Sequence, residues 1–419
     1  MKTKIDDHAV VLGASMAGLL TARVLADAYR QVTVFDRDAM PGIGTHRRGV
    51  PQDRHLHFLH PRGRQVLDEF FPGLGAQLVN QGAVTGDVLG NGRWQLSGHQ
   101  FRQVDINLPG LWASRPFLEG HVRARVTGLP NVTLVERTDV VGVSATADRS
   151  RITGVRVHGT TDGERTVPAD LVIDATGRSS RVPLWLSELG YEQAVADRID
   201  IGIGYATRTY RLRPGALGTD NGILTAGTPQ NPRGGALIAI EGGRHMLTVF
   251  GILGDHPPTD PADFDAFVAS LLFPDIAEAI RDAEPLTDPI AFRFPVSVRN
   301  RYERLQSFPA GLLILGDAVC SFNPIYGQGM TVAATQASTL QRLLAQGRVP
   351  KPRRYFRAIA RTVDTPWDIA VGADLAFPDV SGVRTAKIRM VNSYMPKLHA
   401  AAATDVTLGR AFVRVLGMV

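Results

Sequence analysis

An apolar run, Ala9–Leu12, breaks abruptly into small residues, Gly13, Ala14 and Ser15, and continues through Met16, Ala17 and Gly18. A continuous run of this kind predicts a strand covered on both faces. The Ala- and Leu-rich stretch 17–28 predicts a helix, and 31–35 predicts a second strand stopping at Asp36. The same device returns twice. Leu171–Ile173 is broken at Asp174 by Ala175, Thr176 and Gly177, and Leu312–Leu315 ends in Gly316 and Asp317. After the third break, a loop led by Pro324 and the run Gly327, Gln328, Gly329, Met330 precede a long helical segment rich in Ala, Thr and Leu.

Between these signals, 114–126 reads as a helix with Ser114 as cap and Pro116 in its first turn. "GRQVLDEFFPGL" reads as a short helix ended by Pro72 and Gly73, and "VTLVER" and "DVVGVSA" as strands. From about 199 to 290 the pattern alternates with period two between Gly and Pro turns, predicting an inserted, mostly antiparallel sheet that walls a cleft. The tail, 351–419, is helical in composition and is expected to pack on the outside of the first domain. The resulting division assigns 1–80, 109–198 and 291–350 to a discontinuous nucleotide-binding domain. It assigns 81–108 and 199–290 to a substrate domain, and 351–419 to a helical region.

With 419 residues the chain has room for two to three domains, and its 44% hydrophobic and 21% charged composition is that of a globular protein. No stretch has the apolar length of a bilayer span, so no stable membrane insertion is expected. Residues 1–8 are polar and carry no secretory pattern, which makes the cytoplasm the default compartment. The net charge is +6, but the basic residues are scattered among 40 acids, which argues for a solvated surface and against a nucleic-acid site. Cys320 is the only cysteine, excluding an internal disulfide and a cysteine metal cage. His55, His57 and His60 come nearest to a metal cluster, yet only Asp53 is close in sequence, so they read as a polar wall and no metal is expected. Oligomeric state is left open.

The first break follows the dinucleotide fingerprint G-x-G-x-x-G, with Ser15 in place of the second glycine. A helix starting there presents N–H groups and a positive dipole end, a natural seat for a pyrophosphate. Asp36, eighteen residues past Gly18, stands where an acid accepts hydrogen bonds from an adenosine ribose. Glycine turns of this sort also occur wherever a helix packs tightly on a sheet. The complete strand–helix–strand–acid context is what favours the dinucleotide.

The three signals "GASMAG", "DATGRSSR" and "GDAVCSFNPIYGQGM" together resemble the FAD-dependent aromatic hydroxylase and epoxidase superfamily, over about residues 7–345. "RRGVPQDRHLHFLHPRGRQVLDEFFPG" and "SRPFLEGHVRARV" are most similar to its actinobacterial branch containing polyether epoxidases. The resemblance implies a Rossmann-like, p-hydroxybenzoate hydroxylase-like α/β fold with an inserted antiparallel sheet and a helical C-terminal region. It implies that Gly13, Ser15, Met16, Ala17 and Gly18 surround the FAD pyrophosphate, with Asp36 on the ribose, and Arg37 and Val140 beside the adenine. Arg48 and Arg115 would contact the flavin side of the cofactor. Asp317 would accept from ribityl hydroxyls, and the N–H groups of Gly327, Gln328, Gly329 and Met330 would face flavin N1 and the C2 carbonyl, with Pro324 alongside. Asp174 and Gly177 belong to the second motif, which departs from the usual Asp-Gly-x-x-Ser and so puts direct NADPH binding there in doubt.

The resemblance further implies a flavin monooxygenase that uses O2 to form a C4a-(hydro)peroxyflavin and passes one oxygen atom to a small apolar organic substrate. Alkene epoxidation in polyketide metabolism is the leading expectation. Aromatic hydroxylation, a redox-neutral cyclase retaining FAD and a flavin-binding sensor are the alternatives. With no second nucleotide fingerprint, NAD(P)H visits the same cleft or a flavin reductase supplies the electrons.

Overall fold

The computed structural model describes residues 4–160 and 163–419. Its central sheet has five parallel strands, ordered Leu312–Ile314, Leu171–Asp174, Asp6–Leu12, Tyr29–Phe35 and Val132–Val135. Residues 9–12, 171–173 and 312–314 are at most 1% exposed, which explains why these strands read as unbroken apolar runs. Helix Met16–Ala28 packs against helices Arg115–Thr127 and Gly329–Leu344. A three-stranded antiparallel sheet, Thr138–Ala145, Ile152–Gly159 and Gly163–Pro168, contributes Ile152, Val155 and Val157 to the same core. Ser114 caps its helix by accepting from the Phe117 N–H, with Pro116 in the first turn.

Strand register sets Leu12, Asp174 and Ile314 side by side, so all three breaks leave the sheet from one edge. The turns then touch. Gly13 has φ +93°, and a Cβ there would lie 2.8 Å from the Ala175 carbonyl oxygen. Gly316 has φ +74°, and a Cβ on it would meet the Ala17 Cβ at 2.8 Å. Glycine is required at both positions by backbone sign and by space.

The second sheet follows the order Cys320–Ser321, Ile290–Asn300, Ala196–Arg211, Arg244–Gly251, Arg233–Ile240, Gly222–Thr225, Gly92–Leu96 and His99–Gln100. It is antiparallel except where Gly222–Thr225 runs parallel to Gly92–Leu96. One face packs Ala206, Leu247 and Val249 on Phe264, Phe267 and Ile276 of helices Pro261–Ala269 and Asp275–Ile280. By alternation the other face carries Tyr205, Thr207, Phe250 and Phe292. The long strand Ala196–Arg211 runs through position 198/199, where the sequence suggested a domain boundary, and Ile290–Asn300 begins at the other, 290/291.

Helix Pro352–Asp374 packs on Gly329–Leu344 and continues through Pro366. Helices Ala386–Ala402 and Val406–Leu416 follow, the second capped by Asp405. The expected packing on the first domain holds for Pro352–Asp374, whose Tyr355, Phe356 and Ile359 join its core, whereas Ala402 and Val413 of the last two helices join Val88, Leu89, Trp94 and Phe101 beside the second sheet. The apolar stripe Leu408, Phe412 and Leu416 finds its partners there. Among the described residues no helix is long and apolar enough to cross a membrane.

Candidate functional site

The glycine turn holds its shape through contacts no other residue type permits. A Cβ on Gly18 would sit 1.8 Å from the Gly13 carbonyl oxygen, so helix and strand approach as closely as backbone allows. Ser15 stands at the helix N-cap but makes no side-chain bond to the first-turn N–H groups. Its hydroxyl donates to Glu119 Oε2 at 2.9 Å, leaving the first-turn N–H groups available to an anion. Met16, by contrast, is 2% exposed and belongs to the core.

Around this turn lies a charge cluster only half visible in the sequence. Arg115 donates to Glu119 Oε2 through Nε at 3.0 Å and Nη2 at 2.8 Å, and to Ser15 Oγ at 2.8 Å. Arg47 is buried, with Nη1 3.4 Å from Asp36 Oδ2 and Nε 3.4 Å from Glu119 Oε1. Burial alone would raise the Glu119 carboxyl, but Arg115 and Arg47 outweigh it and hold the group below the usual carboxylate value. Arg48, the neighbour singled out from the sequence, lies on the surface. The "RR" dipeptide could not reveal which guanidinium turns inward. Glu119 was not singled out from the sequence, although its place four residues after Arg115 is the signal that could have found it.

Asp36 ends its strand with Oδ2 accepting from the Ala14 N–H at 2.7 Å and Oδ1 from the Asp38 N–H at 2.9 Å. Arg37 is exposed beside it. The half-buried Val140 lies on the strand whose Thr138 N–H donates to the Asp36 carbonyl at 3.0 Å, so that strand borders the Asp36 end. The Asp174 side chain does not reach a cleft. It is fully buried, accepting from Thr176 N–H and Oγ1 and from Ser180 Oγ, and thereby fixes its own turn. Burial raises this carboxyl. Gly177, with φ +69°, brings the turn against the Asp317 side chain, 3.8 Å from where a Cβ would stand.

Asp317 is surrounded deeply enough that burial raises its carboxyl against the pull of Arg115 and Arg178, yet its side chain keeps solvent access. That pairing of depth and access describes the floor of a cleft. A Cβ on Gly329 would lie 3.9 Å from Asp317 Oδ1, so the third strand and the helix Gly329–Leu344 meet at this floor. Gly327 has φ +64°, Pro324 is exposed and Met330 is buried. Gln328 makes no side-chain cap bond, and its buried Oε1 has no hydrogen-bond partner among the described residues.

Segment 55–60 bridges this floor to the second sheet. The His60 Nε2–H donates to the Tyr326 carbonyl at 2.9 Å, and the His60 N–H donates to Thr331 Oγ1. At the other end His55 Nδ1 shares a 2.8 Å hydrogen bond with Thr207 Oγ1, and its ring meets Tyr205 edge-on at 4.7 Å. The His57 Nδ1–H donates to the His55 carbonyl at 3.0 Å. Burial pushes all three imidazoles down to about 4, with Arg115 adding to the effect at His57. They are neutral at ordinary pH. Ile325, Phe250 and Phe292 are only partly buried and pack on one apolar cluster with Tyr205 and Phe294, forming an aromatic wall next to the loop.

A glycine cradle that admits no Cβ, an uncapped helix N-terminus flanked by two buried arginines, and an orphaned polar oxygen beside a second helix N-terminus all fit a long phosphorylated cofactor. Comparison with known proteins names the group. Residues 6–347 match the family described as FAD binding domain, and the chain belongs to that family. It is 36% identical to Protein Rv3254 of Mycobacterium tuberculosis (strain ATCC 25618 / H37Rv), covering 97% of this chain and 89% of that one. Among solved structures it is similar to the flavin-dependent brominase Bmp2, with TM-score 0.69 and 17% identity over 98% of this chain and 93% of that one. It is also similar to PqsL, a probable FAD-dependent monooxygenase from Pseudomonas aeruginosa, with TM-score 0.61 and 18% identity over 97% and 99%. These structures establish the p-hydroxybenzoate hydroxylase-like fold.

Proposed function

We propose that the chain is an FAD-dependent monooxygenase that adds one oxygen atom from O2 to a small apolar organic substrate, with alkene epoxidation as the reaction. When bound, FAD supplies the activation of O2 that no side chain offers. The turn Gly13–Gly18, Arg47 and Arg115 would hold the pyrophosphate, Asp36 the ribose and Asp317 the ribityl chain. The N–H groups of Gly327–Met330 would stabilise negative charge on the reduced flavin ring by dipoles fixed in advance. Tyr205, Phe250, Phe292, Phe294 and Ile325 would exclude water and seat an apolar substrate.

The observation that favours epoxidation over hydroxylation of a phenol is the state of the histidines. An alkene needs no proton removed before oxygen is added, whereas a phenol is activated by losing one. Imidazoles held near 4 are poor bases for that step. The reductant is proposed to be NAD(P)H entering the same cleft or electrons delivered by a flavin reductase.

The test supplies FAD, NADPH with or without a flavin reductase, and 18O2 to the purified chain with a panel of apolar alkenes and phenols. One labelled oxygen in an epoxide is expected. Unlabelled product, product formed without O2, or halogenated product in the presence of halide would each overturn the reading.

A further inference from the structure

Asp374 ends the helix Pro352–Asp374, outside the span 6–347 that matches the family, and is 1% exposed. One of its oxygens does two things. Oδ1 accepts from Asn323 Nδ2 at 2.8 Å and from the Tyr326 hydroxyl at 2.8 Å, while Oδ2 has no hydrogen-bond partner among the described residues. Asn323 and Tyr326 bracket Pro324 and Ile325. Asn323 Oδ1 accepts from the Ile325 N–H, and the Tyr326 carbonyl is held by His60. A single carboxyl therefore staples both ends of the loop that feeds the chain into helix Gly329–Leu344.

Burying a carboxyl with an orphaned oxygen is costly, and burial pushes this one up to about 6. An apolar side chain would fill the space with less penalty, so packing does not account for an acid here. Bonds to an ionised acceptor are stronger than neutral ones, which suits a contact that must fix geometry.

We infer that Asp374 is a positioning residue for the cofactor site, fixing Asn323–Tyr326 so that the N–H groups of Gly327–Met330 keep their aim at the flavin ring. The inference rests on the reading of those N–H groups given above. The experiment reconstitutes wild type, Asp374→Ala, Asp374→Asn and the double variant Asn323→Ala/Tyr326→Phe with FAD, recording affinity and the visible flavin spectrum. Asp374→Ala is expected to weaken FAD binding by about tenfold or more and to shift the long-wavelength flavin band. Asp374→Asn keeps a carbonyl oxygen able to accept both bonds but loses the charge, so it should perturb affinity and spectrum measurably less than Asp374→Ala. The double variant should repeat the Ala result, and decides the matter if Asp374→Ala does not fold. A wild-type spectrum and affinity in folded Asp374→Ala or in the double variant overturns the inference, as does equal perturbation by Ala and Asn. Failure of wild type itself to take up FAD overturns the parent reading instead.

Discussion

Gly329→Ala separates the cofactor site from the fold that carries it. Gly329 opens a sixteen-residue helix, and, its chain neighbours and its own helix backbone aside, the one atom among the described residues within 4 Å of a Cβ placed there is Asp317 Oδ1, at 3.9 Å, an ordinary van der Waals distance. The protein itself therefore accommodates the methyl group. Alanine in place of glycine contributes roughly 0.5–1 kcal/mol in a helix interior and less at a first position such as this, so urea unfolding of the apoprotein should show equal or slightly higher stability. If flavin lies against this helix N-terminus, the same methyl intrudes on it. Overpacking typically costs about 1–3 kcal/mol, which corresponds to a fall in FAD affinity of about five- to 150-fold. Fluorescence titration with FAD reads the second quantity. Unchanged FAD affinity alongside undiminished stability would refute the placement of the flavin. Gly18→Ala offers no such separation, because its Cβ would lie 1.8 Å from a carbonyl oxygen and disrupt the turn in any state.

Arg47→Ala should weaken FAD binding by about tenfold or more while Arg48→Ala leaves it unchanged, since only Arg47 turns toward the glycine turn; the reverse order would show that the inward guanidinium is not the cofactor's. Glu119→Gln leaves two guanidinium groups buried without their shared counter-charge and should lower apoprotein stability by about 3 kcal/mol, so an unmoved urea midpoint would argue against the cluster. His55 and His60 sit near 4 in the folded chain against 6.5 for a free imidazole. The unfolded chain therefore takes up protons first as pH falls, and the stability present above pH 6.5 is lost on the way to pH 4. About 2.5 units at 1.36 kcal/mol per unit is about 3 kcal/mol for each group. The stability difference between wild type and His55→Gln or His60→Gln should shrink by most of that amount between pH 7 and pH 4.5; a difference independent of pH would show that the imidazoles are not buried in neutral form.

The parts of this fold legible in the sequence are those where local pattern and burial agree. Val10, Val172 and Leu313 all lie on doubly covered strands, so apolar runs ending in small residues gave both the strands and their exits. Ser114 and Pro116 announced their helix in the same local way. Long-range choices were not legible. Nothing in Gly92–Leu96 reveals a parallel partner in Gly222–Thr225, and nothing in the tail reveals that Val413 packs in one cluster with Trp94. Helix Pro352–Asp374 runs on through Pro366, where a proline ordinarily breaks or kinks a helix; Pro366 is buried there and the adjacent Trp367 ring lies 6.4 Å from that of Phe322. At the site, Gly13, Asp317 and Gly329 stood out because they sit where an apolar strand or a long helix breaks into its turn. Arg47 and Asp374 did not, because their importance comes from what lies opposite them in space.

The central claim is that three turns at one edge of the parallel sheet enclose a single FAD molecule. Titrating the purified chain with FAD, while following flavin absorbance and protein-bound stoichiometry, tests it most directly. One FAD per chain is the predicted result, competed by ADP through the Gly13–Gly18 end of the site. A chain that stays colourless after reconstitution would contradict it.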